Sequence, residues 1–239
     1  MHWFVILLII LGFLGVVGLV GAIIAAVIIS SIHHERGDYN DGGGKQVGSP
    51  GESSFFTPIQ ERRGVQGERY SNYELRPLLR NDEYLLSNLL IPLKSGRKVE
   101  IDSVIVSRKG IFCIETKNWV GRIYGSDTED IWVQEYDDPY LPNKEHNNPI
   151  NQNERHCAAI QYLFHSHFTV EGIVLFVNYE TEYYIKSDSC FTVPQFKNYY
   201  RELPDSELTI DEVKQIFQKL YKYVATQEEL QRYRETLRH

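Results

Sequence analysis

Three side chains in the middle of this 239-residue chain, Asp102, Glu115 and Lys117, have types and spacing that could do chemistry. They sit in two runs rich in β-branched residues, 98–106 and 111–117, separated by Ser107-Arg108-Lys109-Gly110. Such runs around a turn signal read as a hairpin. If Ser107 pairs with Gly110, Asp102 lies opposite Glu115 and Glu100 opposite Lys117. Side chains two apart share a sheet face, so Asp102, Glu115 and Lys117 project from one side. Carboxylates facing each other at about 5 Å repel, and like charges there are destabilising. A divalent cation offsets the repulsion by taking oxygen ligands from both. An ammonium beside it can orient an attacking water or stabilise charge on a phosphate. Together these groups form a kit for metal-assisted phosphodiester hydrolysis. The plainer alternative is an exposed hairpin face with a Glu100–Lys117 ion pair, because a Glu-x-Lys tripeptide alone is common by chance.

The elements that must position this hairpin are legible around it. Residues 62–79 read as a helix, apolar at Val65, Tyr73, Leu75, Leu78 and Leu79 and disturbed at Pro77. Residues 84–93 read as a strand, and residues 122–124 and 131–133 as further short strands. A polar loop at residues 137–148 precedes a helix over about 149–168. The apolar run at residues 172–179 has the pattern of a strand buried on both faces. Residues 209–237 close as amphipathic helix, apolar at Val213, Ile216, Phe217, Leu220 and Val224. Helix, strands, helix, strand, helix predicts a mixed α/β domain.

Apolar residues make up 42 % and charged residues 24 % of the chain, which excludes wholesale disorder. Residues 3–29 carry no charged side chain. As a helix they would span roughly 40 Å, more than the ~30 Å hydrocarbon core. The run is longer than a signal-peptide core and ends in no small-residue cleavage pattern, so a single-pass transmembrane anchor over residues 1–32 is expected. Gly12, Gly15, Gly18 and Gly21, with Ala22 and Ala26, give it a small-residue face suited to a homo-oligomer in the lipid bilayer. Arg36 and Lys45 follow the anchor and favour a cytoplasmic soluble part. Cys113, Cys157 and Cys190 form no CxxC pair and lean the same way, excluding a full disulfide framework and a structural zinc cluster. Glycine-rich residues 33–59 read as a flexible linker, residues 60–180 as the domain core, and residues 181–239 as a C-terminal extension. The net charge is −7, yet residues 60–125 hold 12 Lys/Arg against 8 Asp/Glu. A nucleic-acid face should therefore be local and central.

The stretch from Glu100 to Ile123, EIDSVIVSRKGIFCIETKNWVGRI, has Gly67-Glu68 upstream and Asn148-Pro149-Ile150-Asn151-Gln152-Asn153 downstream. In that order these motifs resemble the nuclease-related domain (NERD) family over roughly residues 60–178. The resemblance implies descent from the restriction-endonuclease-like PD-(D/E)xK superfamily, with a mixed central sheet flanked by helices and a magnesium-dependent site. It implies that Asp102 and Glu115 are acidic metal ligands and Lys117 the catalytic lysine. It further implies that Glu68 is a metal or supporting group and that Gln152 touches the site or substrate. Ile101 stands where the superfamily has proline, a departure the family tolerates.

Arg97 and Lys98, Arg108 and Lys109, and Arg69 (with Arg62 and Arg63) are candidate phosphate contacts, with ordinary solvated termini as the alternative. His156, His165 and His167 lack the partners for zinc spacing. Trp119, Trp132, Cys113 and the tyrosines are assigned to packing. The expected function is a membrane-anchored, Mg-dependent nuclease-like protein acting on DNA at the cytoplasmic face. The alternative is a degenerate nuclease fold that binds nucleic acid or protein at the membrane.

Overall fold

The computed structural model describes residues 59–164 and 168–237. Helix α1 (Ile59–Leu75) runs into a short 3₁₀ turn, Arg76–Leu78. Strands β1 (Tyr84–Pro92), β2 (Lys98–Ser107), β3 (Gly110–Lys117), β4 (Arg122–Ser126), β5 (Ile131–Glu135) and β6 (Lys144–Asn147) follow. Helix α2 (Pro149–Leu163), strands β7 (Val170–Phe176), β8 (Glu182–Lys186) and β9 (Cys190–Thr192), and helices α3 (Val193–Glu202), α4 (Ile210–Tyr221) and α5 (Gln227–Thr236) complete the chain. One sheet has the order β1-β2-β3-β7-β9 and the other β6-β5-β4-β8. Both are mixed, with β3–β7, β7–β9 and β4–β8 parallel and the remaining pairs antiparallel.

The larger sheet is covered on both faces. Cys157, Ala159 and Ile160 of α2 and Val213, Ile216 and Leu220 of α4 pack on one side, against Leu89, Ile101, Val104 and Cys113. Leu75 of α1 and Val193, Phe196 and Tyr200 of α3 pack on the other, against Ile105, Phe112, Ile114 and Ile173. A strand enclosed this way has no polar face, and Ile111 through Thr116 of β3 are all buried. The smaller sheet contributes Ile123 and Trp132 to a third cluster with Ile150, Val174 and Phe176. The Trp132 indole lies on Gly125, where an added Cβ would meet it at 2.2 Å.

The expected hairpin register is observed, from Ser107↔Gly110 to Ser103↔Ile114. Several features differ from the sequence expectation. The loop before α2 ends in β6, whose Lys-Glu-His-Asn sequence carries no apolar alternation and becomes a strand by pairing with β5. The helix expected over residues 149–168 ends at Leu163. The single helix expected over residues 209–237 is two, α4 and α5. Residues 223–225 between them lie against β1, with Leu90 N donating to Tyr223 O at 2.9 Å and Ala225 N to Asn88 O at 2.8 Å. Thr226 then caps α5 with Glu229 in a reciprocal box. Residues after 180 also supply β8 to one sheet and β9 to the other.

Among the described residues no helix is long and apolar enough to cross a membrane. The apolar segment at residues 3–29, the glycine-rich stretch after it, and His165 and His167 lie outside the described residues.

Candidate active site

The site forms where β3 leaves the larger sheet. Crevices at the carboxyl ends of parallel strands are open because the chain turns away there. Glu115 and Lys117 are the last two positions of β3 on one face of the sheet, and Asp102 lies on the neighbouring β2. Lys117 Nζ donates to Glu115 Oε1 at 2.6 Å and to Gln152 Oε1 at 3.2 Å. The other oxygen of Glu115 lies 3.3 Å from His156 Nδ1, in a pair of side chains 4 % and 6 % exposed. Neither of those two atoms completes a hydrogen bond.

Each supporting element is locked by its own sequence. Helix α2 begins at Asn148, whose side chain accepts the Ile150 N–H at 2.8 Å, with Pro149 in the first turn where no N–H is needed. One turn later Asn153 Nδ2 donates to Cys113 O at 2.9 Å and Ile173 O at 3.0 Å, clamping the helix across β3 and β7. That clamp aims Gln152 and His156, four residues apart and thus on one face, at the end of β3. Three side-chain hydrogen bonds tie helix α1 to β2 and to the end of β3. Ser71 Oγ sits 3.2 Å from Thr116 Oγ1, Ser103 Oγ donates to Asn72 Oδ1 at 2.7 Å, and Asn118 Nδ2 donates to Arg63 O at 2.9 Å. Gly67 permits this closeness, since a Cβ there would stand 2.8 Å from Asn118 Cβ. Glu68, the next residue, consequently lines the same cleft as Asp102 and Glu115.

The cleft holds about 280 Å³. Its acidic floor is electrostatically crowded. Burial, then Glu115 and Glu68, push the Asp102 carboxyl well above its usual range. Burial lifts Glu68 to about 7, Arg234 pulling it down while Glu100 and Glu115 push it up. Glu115 goes the other way. Burial acts to raise it, but Lys117 and His156 together outweigh burial and keep it below the ordinary value. The arrangement is therefore one carboxylate held ionised by two basic partners, beside two acids that gain protons readily.

The structure brings together Glu68, Asp102, Glu115, Lys117 and Gln152. Of the expected basic residues it brings Arg63 to the cleft, but not Arg69, Arg97, Lys98, Arg108 or Lys109. Lys109 Nζ donates to the carbonyls of Tyr200, Arg201 and Leu203 at 2.9, 3.2 and 2.5 Å, closing the end of α3. Arg108 pairs with Asp205 at 3.1 Å. Both lie at the turn, the far end of the hairpin from the cleft. Arg97 and Lys98 are exposed beside the β1–β2 turn, and Arg69 is exposed on α1. Among the described residues, the Lys and Arg side chains that line the cleft are Arg63, Lys117 and Lys144.

Sequence reasoning missed several other groups. His156 carried a signal, its spacing from Gln152. Arg234 of α5 pairs with Glu100 and approaches Glu68 to 3.8 Å, a contact no local pattern announces. Trp119, assigned to packing, is half-buried in the cleft wall with its ring stacked on His146. Trp132 is fully buried, as expected.

Residues 63–177 match the family model described as the nuclease-related domain. All of the cleft residues fall within that span. Over 166 residues, 66 % of this chain and 76 % of the relative, the sequence is 26 % identical to an uncharacterised protein of Bacillus anthracis. No solved structure matches the chain. The part of the chain that builds this acidic cleft, with its lysine and glutamine, is the part that matches the nuclease-related domain.

Proposed function

We propose that this protein is a magnesium-dependent nuclease that hydrolyses DNA phosphodiesters in the β3 cleft, tethered to the cytoplasmic face of a membrane by residues 3–29. The observation that carries the reading is the contact of Lys117 with both Glu115 and Gln152, beside Asp102 and Glu68. The donor set suits a hard dication. Mg²⁺ binds through one or two carboxylates, keeps waters and takes substrate phosphate oxygens, so no closed cage is required. Among the described residues no three His, Cys, Asp or Glu side chains form a metal-ligand group. Asp102 and Glu115 would hold the ion, with Glu68 at its edge. The metal would polarise a phosphoryl oxygen and acidify a bound water. Lys117 would neutralise charge developing on the phosphate, and Glu115 and Gln152 would keep its ammonium in place.

The test is cleavage of DNA by the full-length chain with magnesium, alongside Lys117→Ala and Asp102→Ala. Loss of about 10²-fold or more in each variant is expected, since preorganised charge at a transition state contributes on that scale. Equal cleavage by all three proteins, or none by any, defeats the reading.

A second reading has its own observation. Glu115 is already countered by Lys117 and His156, and Arg234 approaches Glu68, an arrangement also suited to a site that has lost its metal. The protein would then be a binding module at the membrane. Calorimetric titration with Mg²⁺ separates the two, a module giving no heat that Asp102→Asn removes.

A further inference from the structure

Trp119 and His146 line the same cleft as the carboxylates. Trp119 and His146 stack at 4.2 Å with their rings 22° apart. Their geometry is built rather than incidental. His146 Nε2 lies 2.7 Å from Gln134 Oε1, and Gln134 Nε2 donates to Val120 O at 2.8 Å. With its amide nitrogen committed to that carbonyl, Gln134 presents its oxygen, so His146 is the donor and its ring orientation is set. Behind Trp119, Phe176 closes at 5.9 Å and the Trp119 carbonyl accepts Thr181 Oγ1 at 2.8 Å. Burial, then Lys144 and Lys117, depress His146 to about 4, so the imidazole is neutral at physiological pH and offers a π face. The Lys117 ammonium lies 5.7 Å from the centre of the Trp119 ring.

Resting on the nuclease reading above, we infer that the Trp119–His146 stack receives an unstacked nucleobase, so that the cleft takes a single-stranded segment or strand end rather than a paired duplex. A phosphate on Lys117 puts its own nucleotide's base within reach of the stack. The cleft is small, about 280 Å³. The charge points the same way. Among the described residues, Arg63, Lys117 and Lys144 are the Lys and Arg side chains lining the cleft, in a chain of net charge −7. That is few beside the six to ten phosphate contacts that give a duplex binder its steep salt dependence. Stacking on aromatic platforms supplies the affinity that single-strand binders do not draw from charge, and it tolerates any base.

The experiment is fluorescence anisotropy of the full-length chain with a short labelled oligonucleotide, single-stranded or annealed, with calcium as the hard cation. The expected result is tighter binding of the single strand, with a salt slope of about −2 for three phosphate contacts. Trp119→Ala should weaken it about 5- to 150-fold, the equivalent of one lost base stack. Trp119→Phe, which keeps a ring, should restore most of the affinity, and His146→Ala should weaken single-strand binding without altering Trp132. Equal affinity for duplex, or unchanged binding by both Trp119→Phe and His146→Ala alongside intact binding by Trp119→Ala, overturns the inference. Cleavage without single-strand preference would sink this inference and leave the nuclease reading standing. Single-strand binding lost in Trp119→Ala, without cleavage by the parent chain, would do the reverse.

Discussion

The carboxylate of Asp102 accepts the backbone N–H of Thr116 at 2.8 Å, where the β2–β3 ladder ends after Ser103 and Ile114. One side chain thus replaces a ladder carbonyl as the acceptor for β3 and presents acid to the cleft. On the far side of β2, Asn88 adopts a left-handed φ of 61° and the β1–β2 pairing skips it. Asparagine tolerates that conformation better than most residues. Asp102 therefore sits at a break in both ladders.

This dual role separates two substitutions. Asp102→Ala orphans the Thr116 N–H and should cost about 1–3 kcal/mol of stability. Asp102→Asn keeps an acceptor oxygen, so denaturant unfolding should place it within about 1 kcal/mol of the parent. Both remove the negative charge, and both should lose magnesium-dependent cleavage. A stable Asp102→Asn protein that still cleaves DNA at the parental rate would show that the residue only holds backbone.

Glu68 makes stability depend on pH. Its ordinary value of 4.5 is raised to about 7 by burial, so the folded protein binds that proton more tightly than the unfolded chain. Stability from this group is complete below about 4.5 and declines as pH rises through 7, because the unfolded state then holds fewer protons. Glu68→Gln should remove that slope and gain on the order of 2 kcal/mol at pH 8 in the absence of metal. Thermal melts of both proteins between pH 5 and pH 8 should converge at the acid end. Parallel curves would contradict the buried, proton-hungry Glu68.

Lys109 tests whether the hairpin turn touches nucleic acid. Its ammonium closes three carbonyls at the end of α3, where a cation also meets the negative end of the helix. Lys109→Ala should lower stability by about 1–3 kcal/mol. Oligonucleotide affinity and its salt slope should stay unchanged, since a lost phosphate contact would flatten that slope by about one. A flatter slope would return the turn to the binding surface.

Much of the site was legible before any coordinates. The run Glu-Thr-Lys closes a strand of β-branched residues, and its turn length dictated which residues face Glu115. Helix starts near residues 149 and 209 were legible as well, and α2 and α4 begin there. Those are local effects. They depend on backbone hydrogen bonds and side-chain periods that span a few residues.

What lay beyond reach was every choice made by distant pairing. The Lys-Glu-His-Asn strand exists because β5 offers it an edge, and it carries His146 to Trp119. Arg234 meets Glu100 and Glu68 because residues 223–225 follow β1 and turn α5 toward the cleft. Lys109 looked like a phosphate contact by composition and became a helix-end donor by position. The sequence by itself determined which groups could carry charge, metal and substrate. Tertiary structure decided which of them are desolvated together, because burial and charge coupling act across space and have no period along the chain.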